Sequence, residues 1–148
     1  MDEGFEDFVA AVRPRLQRAF LAARGTDGAE DATAEAIAWA WEHWEEVEQM
    51  ANPAGYLYRV GQSRTRRRRR PRLPAAEAIG AVEVEPGLVP ALLALPLTQR
   101  TAVWLVHGCG WTYGEVAEAM STSESMVGNH VTRALARLRR SLGVERDV

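Results

Sequence analysis

The sequence contains no lysine, a single cysteine, and three histidines that are scattered along its 148 residues. The lone Cys109 excludes an intramolecular disulfide, and the scattered histidines lack the spacing of metal ligands. Glycine-rich phosphate loops, nucleophile elbows and paired-histidine zinc motifs are also missing from the sequence. These absences predict a protein that is not an enzyme, with no catalytic residue, no metal, no cofactor and no small-molecule substrate.

Long apolar runs are equally scarce. No stretch approaches the roughly 18 apolar residues of a membrane-spanning helix. The first residues are acidic, with Asp2, Glu3, Glu6 and Asp7, whereas a secretory signal begins with positive charge. We therefore expect a cytoplasmic protein that does not contact a membrane.

Charge is distributed unevenly, although the net charge is only -2. Residues 1–50 hold 12 acidic residues and four arginines, whereas residues 51–75 hold eight arginines and no acidic residue. Such a basic block indicates a polyanionic partner. All 18 basic residues are arginine, which suits bidentate phosphate contacts. Codon bias in a GC-rich genome would give the same composition, and we favour this explanation of the arginine content.

Apolar residues recur at three- and four-residue steps, so we predict an all-α protein. The first helix covers residues 4–24 and ends at Gly25. A capping pattern then opens a second helix that reaches about Met50, with Trp41 and Trp44 on its inner stripe and Trp39 on another face.

A third helix is predicted to begin at Asn52-Pro53, where a capping side chain precedes a proline at the first helical position. It continues into the run Arg66 to Arg70. Residues 71–87 carry three prolines and no aromatic residue, which is typical of a flexible linker. The chain is therefore expected to form two small helical domains.

The second half of the chain has the pattern of a helix-turn-helix. Thr112 to Glu115 form a capping box, Ser121 to Ser123 a short polar turn, and Ser123 caps a longer helix rich in arginine. The apolar stripe of this longer helix is predicted to consist of Met126, Val127, Val131, Leu135 and Leu138. We expect this longer helix to enter a DNA major groove, while a helical hairpin with a solvated arginine face is the plainer alternative. The expected contacts to bases and phosphates come from Ser125, Gly128, Asn129, Thr132, Arg133, Arg137 and Arg140.

Aromatic residues stand beside the arginine run. Tyr56, Tyr58 and Arg59 precede it on the third helix, and aromatic groups along a basic track suit the unstacked bases of a single strand. The competing interpretation is that the arginine run is only a solvated charged surface. The position of the run on a helix with aromatic residues is what favours nucleic-acid binding.

Three segments together carry a resemblance to a known family. They are residues 29–41, residues 52–60 from Asn-Pro-Ala-Gly-Tyr-Leu to Val60, and residues 95–139, which begin Leu-Pro-Leu-Thr-Gln-Arg. In this order they resemble the extracytoplasmic-function sigma factors of bacterial RNA polymerase, specifically a SigE-like actinobacterial type.

The resemblance implies sigma region 2 in residues 1–72, a linker in residues 73–87, and sigma region 4 in residues 88–143. It implies binding to the clamp and flap of core RNA polymerase and to promoter DNA, with an anti-sigma protein as a further partner to be tested. Polymerase-binding positions would be Glu30, Asp31 and Glu35. The minus-ten element would be contacted by Asn52, Tyr56, Arg59, Arg64, Arg66 and Arg67, and the minus-thirty-five element by Ser125, Asn129, Thr132, Arg133 and Arg137.

Two departures from the family pattern keep alternatives open. Ala34 stands where a glutamine is common, and Gly128 stands where a basic residue is usual. A sigma-like protein that only binds partners is one alternative. The other is a helix-turn-helix regulator that binds DNA without polymerase.

Overall fold

The computed structural model describes residues 3–65 and 87–143, and every regular element in these ranges is a helix. The predicted all-α class is confirmed. Arg66, Arg67 and residues 73–86 of the predicted linker lie outside the described residues. The first domain contains α1 (Glu3–Glu42), α2 (Trp44–Val47) and α3 (Pro53–Thr65). The second contains α4 (Leu88–Leu93), α5 (Leu97–Val103) with a π-helical turn (Trp104–Gly108), α6 (Tyr113–Met120) and α7 (Glu124–Ser141).

Helix α1 consists of two arms that meet at Gly25. This glycine has φ 73° and ψ 179°, a conformation that side chains disfavour. The predicted break at Gly25 is confirmed, but no separate loop follows it. Both arms pack against α3, which makes α1 and α3 the main pair of the first domain.

The core of the first domain centres on Phe20, which is fully buried and stacks on the ring of Tyr58 at a centroid distance of 4.7 Å. Gly61 of α3 faces the same ring. A Cβ atom on Gly61 would lie 2.5 Å from Cζ of Phe20 and 2.8 Å from the carbonyl oxygen of Ala32. The absent side chain therefore sets how closely α3 approaches both arms of α1.

The second arm of α1 departs from its predicted pattern at the tryptophans. Its buried stripe is centred on the small side chains of Thr33, Ala36 and Ala40. Because Ile37 lies at the edge of that stripe, a residue four positions later lies beyond it, and Trp41 is 49% exposed. The predicted inner position of Trp41 is wrong, whereas Trp44 is half-buried and packs against the core.

The predicted second helix also ends early. His43 leaves helical geometry, with φ -123° and ψ 31°, and α2 begins directly after it. Val47 of α2 is buried in the core.

The second domain is built around α7. Val127, Val131, Ala134 and Leu138 are buried on one side of this helix and pack with α4, α5 and α6. Met126 was expected on the same stripe, but it is 41% exposed because it lies one residue away from Val127 around the helix. None of the helices in the described ranges is sufficiently long and apolar to span a membrane.

Gly61→Ala tests the close packing of α3 on α1. Alanine favours a helix by about 1 kcal/mol over glycine, but the overlap with Phe20 and Ala32 should outweigh this gain. We expect a net loss of about 1–3 kcal/mol in the free energy of unfolding, measured by urea denaturation. Gly128→Ala is the control, because its Cβ would meet only ordinary contacts and should stabilise the protein. A higher unfolding midpoint for Gly61→Ala would contradict the packing argument.

Candidate nucleic-acid interface

Local capping interactions fix the turn between α6 and α7. Thr112 Oγ1 accepts a hydrogen bond from the Glu115 amide at 3.1 Å, and the Glu115 carboxylate accepts one from the Thr112 amide at 3.0 Å. Ser121 takes a left-handed conformation with φ 54°, and the Ser123 hydroxyl accepts from the Met126 amide at 3.1 Å. The predicted capping box, three-residue turn and second cap are all confirmed, so α6 and α7 form a helix-turn-helix.

The outer face of α7 is open to solvent. It lies opposite the buried stripe, so its polar side chains project into solvent. Asn129 Nδ2 makes only a long contact of 3.9 Å, to the sulfur of Met126. All five residues predicted to read the minus-thirty-five element are exposed: Ser125, Asn129, Thr132, Arg133 and Arg137.

Gly128 lies on α7 among these residues. A Cβ atom added there would lie 3.5 Å from Cε2 of Tyr113, an ordinary van der Waals distance. The glycine is therefore not required by packing. Its cost is a less stable helix.

The predicted minus-ten residues of α3 lie in a different environment. Asn52, Tyr56 and Arg59 are all half-buried. Arg59 Nη2 lies 3.3 Å from the Glu118 carboxylate, its Nη1 donates to the Ser121 hydroxyl, and its guanidinium lies 5.0 Å from the ring centroid of Tyr56. Because Glu118 and Ser121 belong to α6 and its turn, the second domain covers this part of α3.

An aromatic group continues from Tyr56. The ring of Trp39 lies 5.3 Å from that of Tyr56, and His43 stacks on Trp39 at 4.0 Å with the rings almost parallel. Flat faces of this kind can stack on unpaired bases. Trp39, which the sequence pattern placed away from the core stripe, thus joins the predicted minus-ten residues.

The predicted polymerase-binding residues lie on the second arm of α1. Glu30 and Asp31 are exposed, and so is Ala34. Glu35 is half-buried, and its carboxylate lies 3.9 Å from Arg64 of α3. The structure thus brings one predicted polymerase contact and one predicted DNA contact together across the α1–α3 pair.

Contacts between the two domains were not predicted from the sequence. Arg15 Nη2 lies 2.8 Å from the Glu115 carboxylate, and Arg18 Nε donates to the carbonyl oxygen of Gly108 at 2.9 Å. The indole N–H of Trp104 donates to the carbonyl oxygen of Arg18 at 3.2 Å. The first arm of α1 therefore binds the second domain. The sequence did not predict this contact, because each of these side chains has the pattern of a surface or core residue.

Gly55 permits the closest approach between the domains. A Cβ atom at this position would lie 2.2 Å from the carbonyl oxygen of Glu115. A glycine within a predicted helix was the one sequence signal of such an approach. Trp111 completes the contact, since it is 3% exposed and meets the ring of Tyr58 edge-on at 5.9 Å.

Cys109 lies at the same domain contact. Burial raises the pKa of its thiol to about 12, although Arg18 and Arg15 of the first domain favour the thiolate and oppose the shift. The Cys109 side chain is half-buried. Its thiol is therefore almost entirely protonated near neutral pH.

An exposed helix-turn-helix beside a helix that carries arginine and aromatic side chains is typical of DNA-binding proteins. Residues 88–138 match the family model of sigma-70, region 4. No curated protein matches the chain.

Two solved structures share the fold over almost the whole chain. One is the sigma factor RpoE from Bartonella quintana, in complex with the anti-sigma factor NepR, with a TM-score of 0.71, 22% identity and coverage of 98% of this chain and 100% of that one. The other is CnrH in complex with the cytosolic domain of CnrY, with a TM-score of 0.70, 21% identity and coverage of 96% and 89%.

These findings agree with the predicted resemblance in its sigma-70 part and in its fold. The second domain carries sigma-70 region 4, and the chain has the helical fold of the two similar proteins. The alternative of a helix-turn-helix regulator that acts without polymerase is not favoured. The SigE-like actinobacterial type, the domain boundaries and the individual contact residues stay predictions.

Gly128→Arg should strengthen binding of duplex DNA. One added phosphate contact should make the slope of log K against log salt steeper by about 0.9. Fluorescence anisotropy with a labelled promoter duplex at several salt concentrations measures both quantities. Gly128→Ala serves as the control, because it restores helix propensity without adding charge. Equal affinity and slope for the two variants would show that position 128 does not face the DNA.

Proposed function

We propose that this protein is a sigma factor that directs core RNA polymerase to specific promoters and starts transcription there. The observation that carries the proposal is the solvent-exposed face of α7, within the residues that match sigma-70 region 4. On this proposal the second domain reads the minus-thirty-five element.

The chemistry of the α7 face supports direct readout. Asn129 can form paired hydrogen bonds with an adenine edge, and Arg133 with a guanine edge. Ser125 and Thr132 accept or donate a single hydrogen bond, and Arg137 is assigned to a phosphate. Each good bidentate contact discriminates against the wrong base by about 1–3 kcal/mol.

The first domain is assigned to the minus-ten element. Asn52, Tyr56, Arg59 and Arg64, with Arg66 and Arg67 beyond α3, offer hydrogen-bonding, stacking and phosphate contacts to an unpaired strand. Extracting a base from the duplex costs a few kcal/mol, which stacking and phosphate contacts can offset. Promoter opening by this route requires neither ATP nor a catalytic residue.

The remaining partners follow from the exposed face of α1. Glu30 and Asp31, with the partly exposed Glu35, are assigned to the clamp of core polymerase, and the second domain to its flap. Each similar structure was solved as a complex, RpoE with the anti-sigma factor NepR and CnrH with the cytosolic domain of CnrY, so an anti-sigma protein is a proposed further partner. The proposed site of action is the cytoplasm.

In vitro transcription tests the function. Core polymerase with the full chain should produce specific transcripts from genomic promoter fragments that core alone does not produce. Arg133→Ala should lower the yield about tenfold, because loss of one base contact costs about 1–3 kcal/mol. Arg13→Ala is the matched control, since it removes an exposed arginine of α1 that is assigned no contact. Transcript levels no higher than those of core alone would refute the proposed function.

A further inference from the structure

The recognition helix α7 carries a large apolar side chain on the face that is proposed to read DNA. Met126 is 41% exposed. The helical period places it on one stripe with Asn129 and Arg133, which follow three and seven residues later. Scattered exposed apolar residues are ordinary on protein surfaces, so exposure alone assigns no role to Met126. Its position among the proposed base readers distinguishes it.

The backbone at Met126 is fixed by the cap of α7. Met126 is the third residue of the helix, and its amide donates a hydrogen bond to the Ser123 hydroxyl at 3.1 Å. The N-terminal residues of a recognition helix are the ones that contact base edges in the major groove. Because helical side chains lean toward the N-terminus, the thioether of Met126 extends over the first turn, ahead of Asn129.

The chemistry of a thioether restricts what Met126 can recognise. Its sulfur is a weak acceptor and it has no donor, so it does not distinguish bases by their hydrogen-bonding groups. The apolar group that base pairs present in the major groove is the C5-methyl group of thymine. Methionine is unbranched and polarisable, which lets it pack against such a small apolar group.

We infer that Met126 is a specificity-determining residue that reads the C5-methyl group of a thymine in the minus-thirty-five element. This inference rests on the proposed function, because it takes the exposed face of α7 to lie in the major groove. The helix advances about 4.5 Å from Met126 to Asn129, whereas neighbouring base pairs are about 3.4 Å apart. The thymine should therefore lie one or two base pairs from the base that Asn129 reads.

Asn129 belongs to the same reading surface. Its Nδ2 atom lies 3.9 Å from the sulfur of Met126, a long contact to a weak acceptor. The amide therefore keeps its capacity to bond a base edge, and an adenine edge matches it best. Adjacent apolar and amide groups on one stripe fit a thymine close to an adenine.

Replacement of thymine by uracil tests the contact, because it removes the methyl group and leaves the hydrogen-bonding edge unchanged. The full chain first selects tight-binding duplexes from a library that is randomised over about one helical turn of DNA. Each thymine of the selected sequence is then replaced singly by uracil. Competition against the labelled parent duplex measures the change in affinity.

One of these replacements should weaken binding by the wild-type chain about fourfold, the factor that corresponds to the burial of one methyl group. It should lie within two base pairs of the position whose preference is lost in Asn129→Ala. The other uracil replacements should leave the affinity nearly unchanged.

Met126→Leu and Met126→Gln form a matched pair. Leucine keeps an apolar side chain, glutamine keeps the length but adds a polar amide, and all three residues have similar helix propensity. The uracil penalty should persist in Met126→Leu and disappear in Met126→Gln. Leu97→Ala is the control, because it shortens a 64% exposed apolar side chain on α5, away from α7, and should keep the full penalty.

An equal uracil penalty in Met126→Gln would assign the methyl contact to another side chain and overturn the inference. A selected sequence with no uracil-sensitive thymine would overturn it as well, while a selected sequence that depends on Asn129 and Arg133 would leave the proposed function standing. If core polymerase with the wild-type chain gave no specific transcripts while the uracil penalty persisted, the proposed function would fail and the methyl contact would stand.

Discussion

The arrangement of this protein depends on the close approach of α3 and α6 at Gly55. Only a residue without a side chain allows the Glu115 carbonyl to lie this near the α3 backbone. The same glutamate caps α6 and binds Arg15 of α1. Glu115 therefore joins the start of the helix-turn-helix, the first helix of the chain and the predicted minus-ten helix.

The small size of the two domains explains why a contact between them stabilises the protein. Domains of about 60 residues bury only about 60% of the surface that their unfolded chains expose, so each is marginally stable alone. Here Trp104 and Trp111 are almost fully buried, and each has a neighbour in the other domain, Arg18 and Tyr58 respectively. The contact supplies part of the apolar burial that either domain lacks.

The two predicted DNA-binding faces differ in how they are kept available. The face of α7 is held by local interactions, namely the capping box, the Ser123 cap and a buried stripe of small and branched side chains. The face of α3 depends on what lies against it, because its polar side chains reach across to another domain. Local caps keep the face of α7 exposed to solvent. The exposure of the α3 face depends instead on the contact between the domains.

Much of the fold could be predicted because it is encoded by neighbouring residues. The break at Gly25, the capping box of Thr112 and Glu115 and the exposed face of α7 all follow from backbone preferences and from the helical period. The errors arose where a stripe had an ambiguous edge, as at Trp41 and Met126. Periodicity alone does not say whether an edge residue points inward or outward.

By itself, the sequence determined the helical class and the helix-turn-helix, and it supplied the candidate residues for DNA contact, because these depend on spacing of a few residues. Only the tertiary structure decided that Arg59 pairs with Glu118 and that Glu35 meets Arg64, since each pair joins separate helices. Charge composition shows which pairs are possible. Distances across a domain contact, set by Gly55 and the packed tryptophans, select the pairs that form.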